Sequence, residues 1–342
     1  MIRLLSSLLL AALTSLAHAD EVDGWLGRMQ QALDMQNFQG TLIIRQYDQL
    51  HAIRVVHGHG ERGEGTWDTL ESMNGEHRRV IRRDNQVITL FPDKNVATRV
   101  HDSMRRDLKS LPLHPQLPQN LNLLKQTYQV RLAGVDRVAG WPAQMIELLP
   151  KDQYRYGFRL WLARDNGLLL RCDLLSEQGN VIEQVMYSQL STMKQVPPPG
   201  VPDLTNWRVI DLDAGQQQLS EAVSEHWSVT QLPAGFRLIQ AINMPASAAA
   251  VIDENESVTQ TGAAQVQHLI FSDGMTSVSV FVEQRVPDNK LLVGVSRMGA
   301  VNAFGQSLNG HHVTVIGEVP MLTVRQIAQS IVRLQAKDPS HD

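Results

Sequence analysis

The chain has 342 residues, 43% of them hydrophobic and 19% charged. This fits about two packed domains and excludes a disordered, collagen-like or coiled-coil chain. A net charge of −4 gives no basic field for nucleic acid, 5% aromatic residues leave few platforms for stacking single strands, and one cysteine excludes a disulfide framework or a Cys-based zinc site.

Residues 1–19 read as a secretory signal. Arg3 supplies the positive start, Leu4 to Leu16 the apolar stretch, and Ala17-His18-Ala19 the small-x-small cleavage pattern. The 13 apolar-stretch residues fall short of the roughly 20 that span a bilayer, so the mature chain is expected to start at Asp20, exported and soluble.

A helix follows, marked by Val22, Trp25, Met29 and Leu33 at three- and four-residue spacing. The period then changes to two. Segments 40–47, 50–57, 77–83, 86–91, 127–133, 143–149, 153–163, 167–175 and 180–187 read as strands, with turns such as Pro92-Asp93-Lys94-Asn95 and Asp165-Asn166-Gly167 between them. No helical pattern alternates with these strands, which disfavours a doubly wound parallel sheet and favours an antiparallel meander curling into a partly closed barrel. Residues 101–126 interrupt it: His101 to Pro118 is proline-rich, and Leu121 to Leu124 starts a short helix.

Val196-Pro197-Pro198-Pro199-Gly200-Val201-Pro202 can be neither helix interior nor central strand and reads as a stiff linker. It divides residues 20–195 from residues 203–342. Residues 20–200 carry 22 Lys/Arg against 21 Asp/Glu, and residues 201–342 carry 8 against 14, so the acidic excess lies in the second half. There Trp207 and Trp227 are expected anchors. Strands are expected at 235–243, 265–271, 276–284, 290–298 and 311–318, and a helix at Gly299–Leu308. A last helix is marked by Val324, Ile327, Ile331 and Leu334, with Thr323 and Gln326 in a capping-box pattern. The second domain is therefore small and α+β.

Strings that suggest chemistry fail in context. Gly58-His59-Gly60-Glu61-Arg62-Gly63 matches a dinucleotide fingerprint, but no helical stripe follows it. Ser191-Thr192-Met193-Lys194 ends a strand rather than starting a helix, and Gly294–Gly299 misses the nucleophile-elbow spacing. His57 and His59 share a strand face, yet a metal needs further ligands. Catalytic, cofactor and metal sites are therefore all assigned as none. Cys172, alternating with leucines, reads as inert core.

Two patterns remain as candidates. Arg78, Arg79, Arg82 and Arg83 offer guanidinium forks for phosphates or partner carboxylates, with a solvated edge strand as the alternative. Tyr154, Tyr156, Phe158, Leu160 and Leu162 alternate, as do Leu42 with Ile44 and Ile88 with Leu90. In a closed barrel these are core, and in an open one they line an apolar cavity.

Several stretches resemble the RseB/MucB family of periplasmic regulators. In the first half they are Asn37-Phe38-Gln39-Gly40-Thr41, Glu76-His77-Arg78-Arg79-Val80 through Leu90-Phe91-Pro92, and Tyr154-Arg155-Tyr156-Gly157-Phe158-Arg159-Leu160-Trp161. In the second they are Leu232-Pro233-Ala234-Gly235-Phe236, His268-Leu269-Ile270-Phe271-Ser272-Asp273-Gly274 and Gly299-Ala300-Val301-Asn302-Ala303. They cover both halves, and the alginate-linked MucB type is favoured. The resemblance implies a LolA-like unclosed antiparallel β-barrel with helices, then a small α+β domain that takes part in binding an anti-sigma factor. It implies a non-enzymatic negative regulator of the envelope-stress sigma factor. Such a regulator binds the periplasmic part of an RseA/MucA-like inner-membrane protein, shields it from site-one proteolysis, and is released by lipopolysaccharide or a related acyl-chain lipid. Leu42, Ile44, Ile88, Leu90, Tyr156, Phe158 and Leu160 are the lipid candidates, and self-association is left open. A LolA-like carrier of lipid or lipoprotein is the alternative.

Overall fold

The computed structural model describes residues 21–46, 48–60, 65–83, 86–101, 117–118, 120–200, 202–211, 217–218, 227–245, 265–284 and 292–333. The expected signal sequence and most of the proline-rich 101–118 loop lie outside them. The described chain forms two compact units, one comprising Met1–Lys151 and Gly157–Asp211, the other Asp152–Tyr156 and Leu212–Asp342.

The first unit opens with helix α1 (residues 21–35), which buries the stripe Val22, Trp25, Leu26, Met29 and Ala32. Six strands follow: β1 (Asn37–Gln46), β2 (Gln49–His59), β3 (Thr66–Ser72), β4 (Arg79–Arg83), β5 (Gln86–Phe91) and β6 (Val96–His101). Helix α2 (Leu121–Thr127) comes next, with Asn120 Oδ1 accepting from the Asn122 backbone N–H at its start. Then come β7 (Tyr128–Val138), β8 (Trp141–Pro150), β9 (Gly157–Ala163), β10 (Leu169–Leu175), β11 (Val181–Met193) and β12 (Arg208–Asp211). Among the described residues the sheet order is β12-β6-β5-β4-β3-β2-β1-β11-β10-β9-β8-β7, and its ends do not pair with each other. Every pairing is antiparallel except β12 with β6. The meander arises because short turns join neighbouring strands, and β11 closes back on β1.

The second unit is a sheet in the order β13-β15-β16-β17-β20-β19-β18. Its strands are β13 (Gln217–Gln218), β15 (Arg237–Pro245), β16 (Gln265–Ser272), β17 (Ser277–Gln284), β18 (Gly294–Met298), β19 (Val301–Leu308) and β20 (His311–Gly317). Helix α3 (Met321–Gln329) packs on β19 and β20, while β14 (Trp227–Val229) pairs with β21 (Ile331–Arg333). Val280, Val313, Val315, Val324 and Ile327 meet in its core. An open antiparallel sheet with helices, followed by an α+β unit, is the fold class the sequence predicts.

Three local expectations are corrected. Residues 301–308 are strand β19, not helix. Asn309 and Gly310 both have positive φ (50° and 77°) and turn the chain into β20, as an Asn-Gly hairpin requires. Helix α3 has no capping box: Pro320 is its N-cap, Thr323 Oγ1 donates to the Tyr154 carbonyl, and Ile331 lies in β21. The expected strand 153–163 begins only at Gly157, and residues 152–156 belong to the second unit.

Candidate functional site

Strand register decides which apolar residues share a face, since paired residues project to the same side of a sheet. Ile44, Val185, Cys172 and Leu160 form one row across β1, β11, β10 and β9. Ile146 continues that row on β8, and Phe158 and Leu148 lie in a neighbouring row on the same face. Leu42, two residues from Ile44, belongs there too. Leu42, Leu160, Ile146 and Leu148 are buried, as is Cys172. A second row, Phe38, His57, Asp68, Arg82 and Val87, extends this inner face to β5.

Ile88 and Leu90 alternate with Val87 and therefore face the opposite way. They pack with Ile81 and Ala97 under Leu204 and Trp207. Arg208 N–H bonds the Asn95 carbonyl, and Arg99 pairs with Asp211, so the chain after the proline run lies along β6 as a strap. Tyr156 lies in the second unit, where its hydroxyl accepts from Asn302 Nδ2 at 2.9 Å. The structure thus brings Leu42, Ile44, Phe158 and Leu160 together and places Ile88, Leu90 and Tyr156 elsewhere.

The four arginines are also divided. Arg78 and Arg79 are exposed. Arg83 is half-buried and donates to the Pro199 carbonyl at 3.0 Å. Arg82 faces inward, with Nη1 3.2 Å from Asp68 Oδ2.

Under α1 lies a buried polar cluster. His57 Nδ1 is 2.6 Å from Asp68 Oδ1, and His57 Nε2 is 2.7 Å from the Leu33 carbonyl oxygen. Phe38 stacks on the His57 ring and meets Tyr187 edge-on. Tyr187 lies over Gly40, where a Cβ would sit 2.8 Å from its ring. Burial, and then the Asp68 charge, push the Tyr187 phenol well above its usual range. In the sequence His57 offers only a possible metal ligand. Among the described residues no three His, Cys, Asp or Glu side chains are grouped to hold a metal.

The opposite face of β7–β11 carries a charge ladder that hydrophobic periodicity passed over. Arg131 and Arg159 both donate to Glu147, while Arg171 and Gln184 donate to the buried Asp173. Burial works against the Glu147 charge, and the two arginines more than offset it, holding its carboxyl below the usual range. Asp136 is held low by the Arg137 backbone N–H and then by the Trp161 indole. In the sequence Arg159 next to Leu160 and Arg171-Cys172-Asp173 show charged and apolar residues alternating there, and Arg131 and Glu147 join them through register.

In the second unit Arg155 is fully buried. It donates to Asp273 and Asp152 and to the Ala234 carbonyl, with its guanidinium 5.5 Å from the Phe236 ring centroid. At the sheet edge, β18 pairs with β19 alone among the described residues, and Val293, Val295 and Met298 are exposed. Among the described residues no helix is long and apolar enough to cross a membrane.

The sequence matches the MucB/RseB N-terminal domain over residues 21–205 and the MucB/RseB C-terminal domain over residues 221–332. It is 28% identical over 334 residues to the sigma factor AlgU regulatory protein MucB of Pseudomonas aeruginosa, covering 96% of this chain and 95% of that one. It is 26% identical over 325 residues to the sigma-E factor regulatory protein RseB of Haemophilus influenzae, covering 93% and 94%. Among solved structures it resembles MucB in complex with MucA(peri), with a TM-score of 0.64 and 26% identity, over 92% of this chain and 100% of that one. A MucA/MucB complex of Pseudomonas aeruginosa gives 0.65, with the same identity and coverage. With both domain matches in chain order, the chain belongs to the MucB/RseB family.

Proposed function

We propose that this chain is a periplasmic negative regulator of an envelope-stress sigma factor. In this reading residues 1–19 are a cleaved signal, residues 20–195 sense lipid, residues 196–202 link the domains, and residues 203–342 take part in holding the periplasmic segment of a membrane anti-sigma factor. Holding that segment shields it from the first protease, and lipopolysaccharide or a related lipid releases it. The observation that carries the reading is the likeness, along nearly the whole chain, to MucB solved with the periplasmic part of MucA. The curated relatives are named as regulatory proteins rather than enzymes.

The inner face supports the lipid half of the reading. Its apolar rows run from β1 through β11, β10 and β9 to β8, and since Leu42, Leu160, Ile146 and Leu148 are buried, an acyl chain would have to displace what covers them before gaining about 0.8 kcal/mol per buried methylene. Arg78, just before β4, and Arg79, its first residue, are exposed and are the arginines open to a lipid phosphate or a partner carboxylate. Among the described residues β18 is the edge strand, and its outer side, with Val295, Met298 and the preceding Val293, could take an extended partner segment. Release requires that lipid bind the partner-free state more tightly, because equal affinity for both states shifts nothing.

Calorimetric titration of the mature chain, from Asp20, with the periplasmic segment of a MucA-like protein tests this. Tight binding that lipopolysaccharide abolishes is expected. Lipid uptake without partner binding would overturn the regulator in favour of a carrier.

A further inference from the structure

The Leu33 carbonyl belongs to the last turn of α1, where carbonyls lack intrahelical partners. His57 Nε2 reaches it at 2.7 Å while Nδ1 reaches Asp68 at 2.6 Å. Both contacts are to oxygens that only accept, so both are hydrogen bonds only when each ring nitrogen carries a proton. A cation at a helix C-terminus is also favoured by the helix dipole. The charged and titratable groups around His57 are Asp68 on β3, Arg82 on β4 and the Tyr187 phenol on β11, with the Leu33 carbonyl from α1. Arg82 balances Asp68, so that pair stands whether or not His57 is charged.

We propose that His57 is a proton-dependent clasp on helix α1. Doubly protonated, it ties the last turn of the helix to the inner face. When it loses a proton, the remaining one stays on Nδ1, where the carboxylate makes the stronger bond. The Nε2 lone pair then faces the Leu33 oxygen, and the tie to α1 is lost. The inner face beneath α1 is thereby more open to apolar ligand at higher pH, a consequence that rests on the lipid reading above.

The test uses the mature chain with ¹⁵N-labelled histidine, between about pH 5.5 and about pH 8.5. Ring ¹⁵N shifts should show both His57 nitrogens protonated at the acid end and only Nδ1 protonated at the alkaline end. Hydrogen exchange, corrected for its intrinsic pH dependence, should lose about tenfold protection in residues 26–35 over that range, with β8–β10 as the unchanged reference. His57→Gln should abolish this pH dependence. One protonation state throughout, whether neutral or doubly protonated, or the same pH dependence in wild type and His57→Gln, would overturn the clasp. Because the shifts are read on wild type, a poorly folding variant does not blunt the test. Binding of N-phenyl-1-naphthylamine is the separate arm and should rise with pH. If shifts and exchange behave as stated while the probe binds at no pH, the clasp stands and the lipid reading falls.

Discussion

Arg155 and Asp273 are both fully buried and bonded to each other. Removing one member of such a pair leaves the other charge unpaired in the interior, which costs about 3–5 kcal/mol. Asp152 would retain its place near solvent, but Asp273 has no such escape: its Oδ1 already accepts from the Met275 and Thr276 backbone. Arg155→Ala is therefore expected to destabilise the second unit by about that amount, and Arg155→Ala with Asp273→Asn by clearly less. Urea unfolding of the two single variants and the double variant measures the coupling, and additive losses would contradict it. Nothing local announces this pair. Its members are 118 positions apart, and the alternation of Tyr154, Tyr156 and Phe158 continues smoothly into β9, so periodicity cannot show that the chain before Gly157 serves another unit. His57 is similar: its neighbours suggest a ligand, while its partners come from α1 and β3.

At the scale of elements, period-two patterning located most strands, because alternation is imposed by the pleat itself. It could not say which face of one strand matches which face of the next. Leu42 and Ile88 therefore seemed equivalent, and only register separates them onto opposite sides. The misread helix at 299–308 has the same origin. Ala300, Val301, Phe304 and Leu308 fit a helical stripe, but Asn302, Phe304, Gln306 and Leu308 fit a strand equally well, and the Asn309-Gly310 turn was the deciding signal. The strap follows the proline run, where the sequence offers only Trp207 as an expected anchor. Trp207 and Leu204 cover the Ile81, Ile88, Leu90 and Ala97 cluster, and Asp211 at the end of β12 pairs with Arg99. Trp207→Ala should cost about 2 kcal/mol, less than a fully buried tryptophan, and should speed proteolytic cleavage within residues 199–211. Unchanged cleavage and stability would mean that β12 pairing alone holds the strap.

At the scale of the molecule, stability against pH is set by opposing carboxylates. Burial raises Glu183, an effect only partly offset by the Gln46 amide, and burial raises Glu283. For these two the folded protein favours the protonated acid, so their favourable contribution is complete below the unfolded value and is lost as pH rises through the folded one. Glu147 and Asp136 are lowered and act the other way: their contribution is present above the unfolded value and disappears on acidification. At neutral pH the ladder on β7–β11 therefore stabilises the fold while Glu183 and Glu283 subtract from it. Glu183→Gln with Glu283→Gln should raise the midpoint of thermal unfolding at pH 7 and leave it unchanged near about pH 4, where the native carboxyls are already protonated. Since Glu183 lies in the first unit and Glu283 in the second, the two substitutions should act independently of each other. Calorimetry at both pH values reads this directly. A gain of equal size at the acid end would show that charge burial is not its cause, because glutamine would then be improving packing rather than removing a charge.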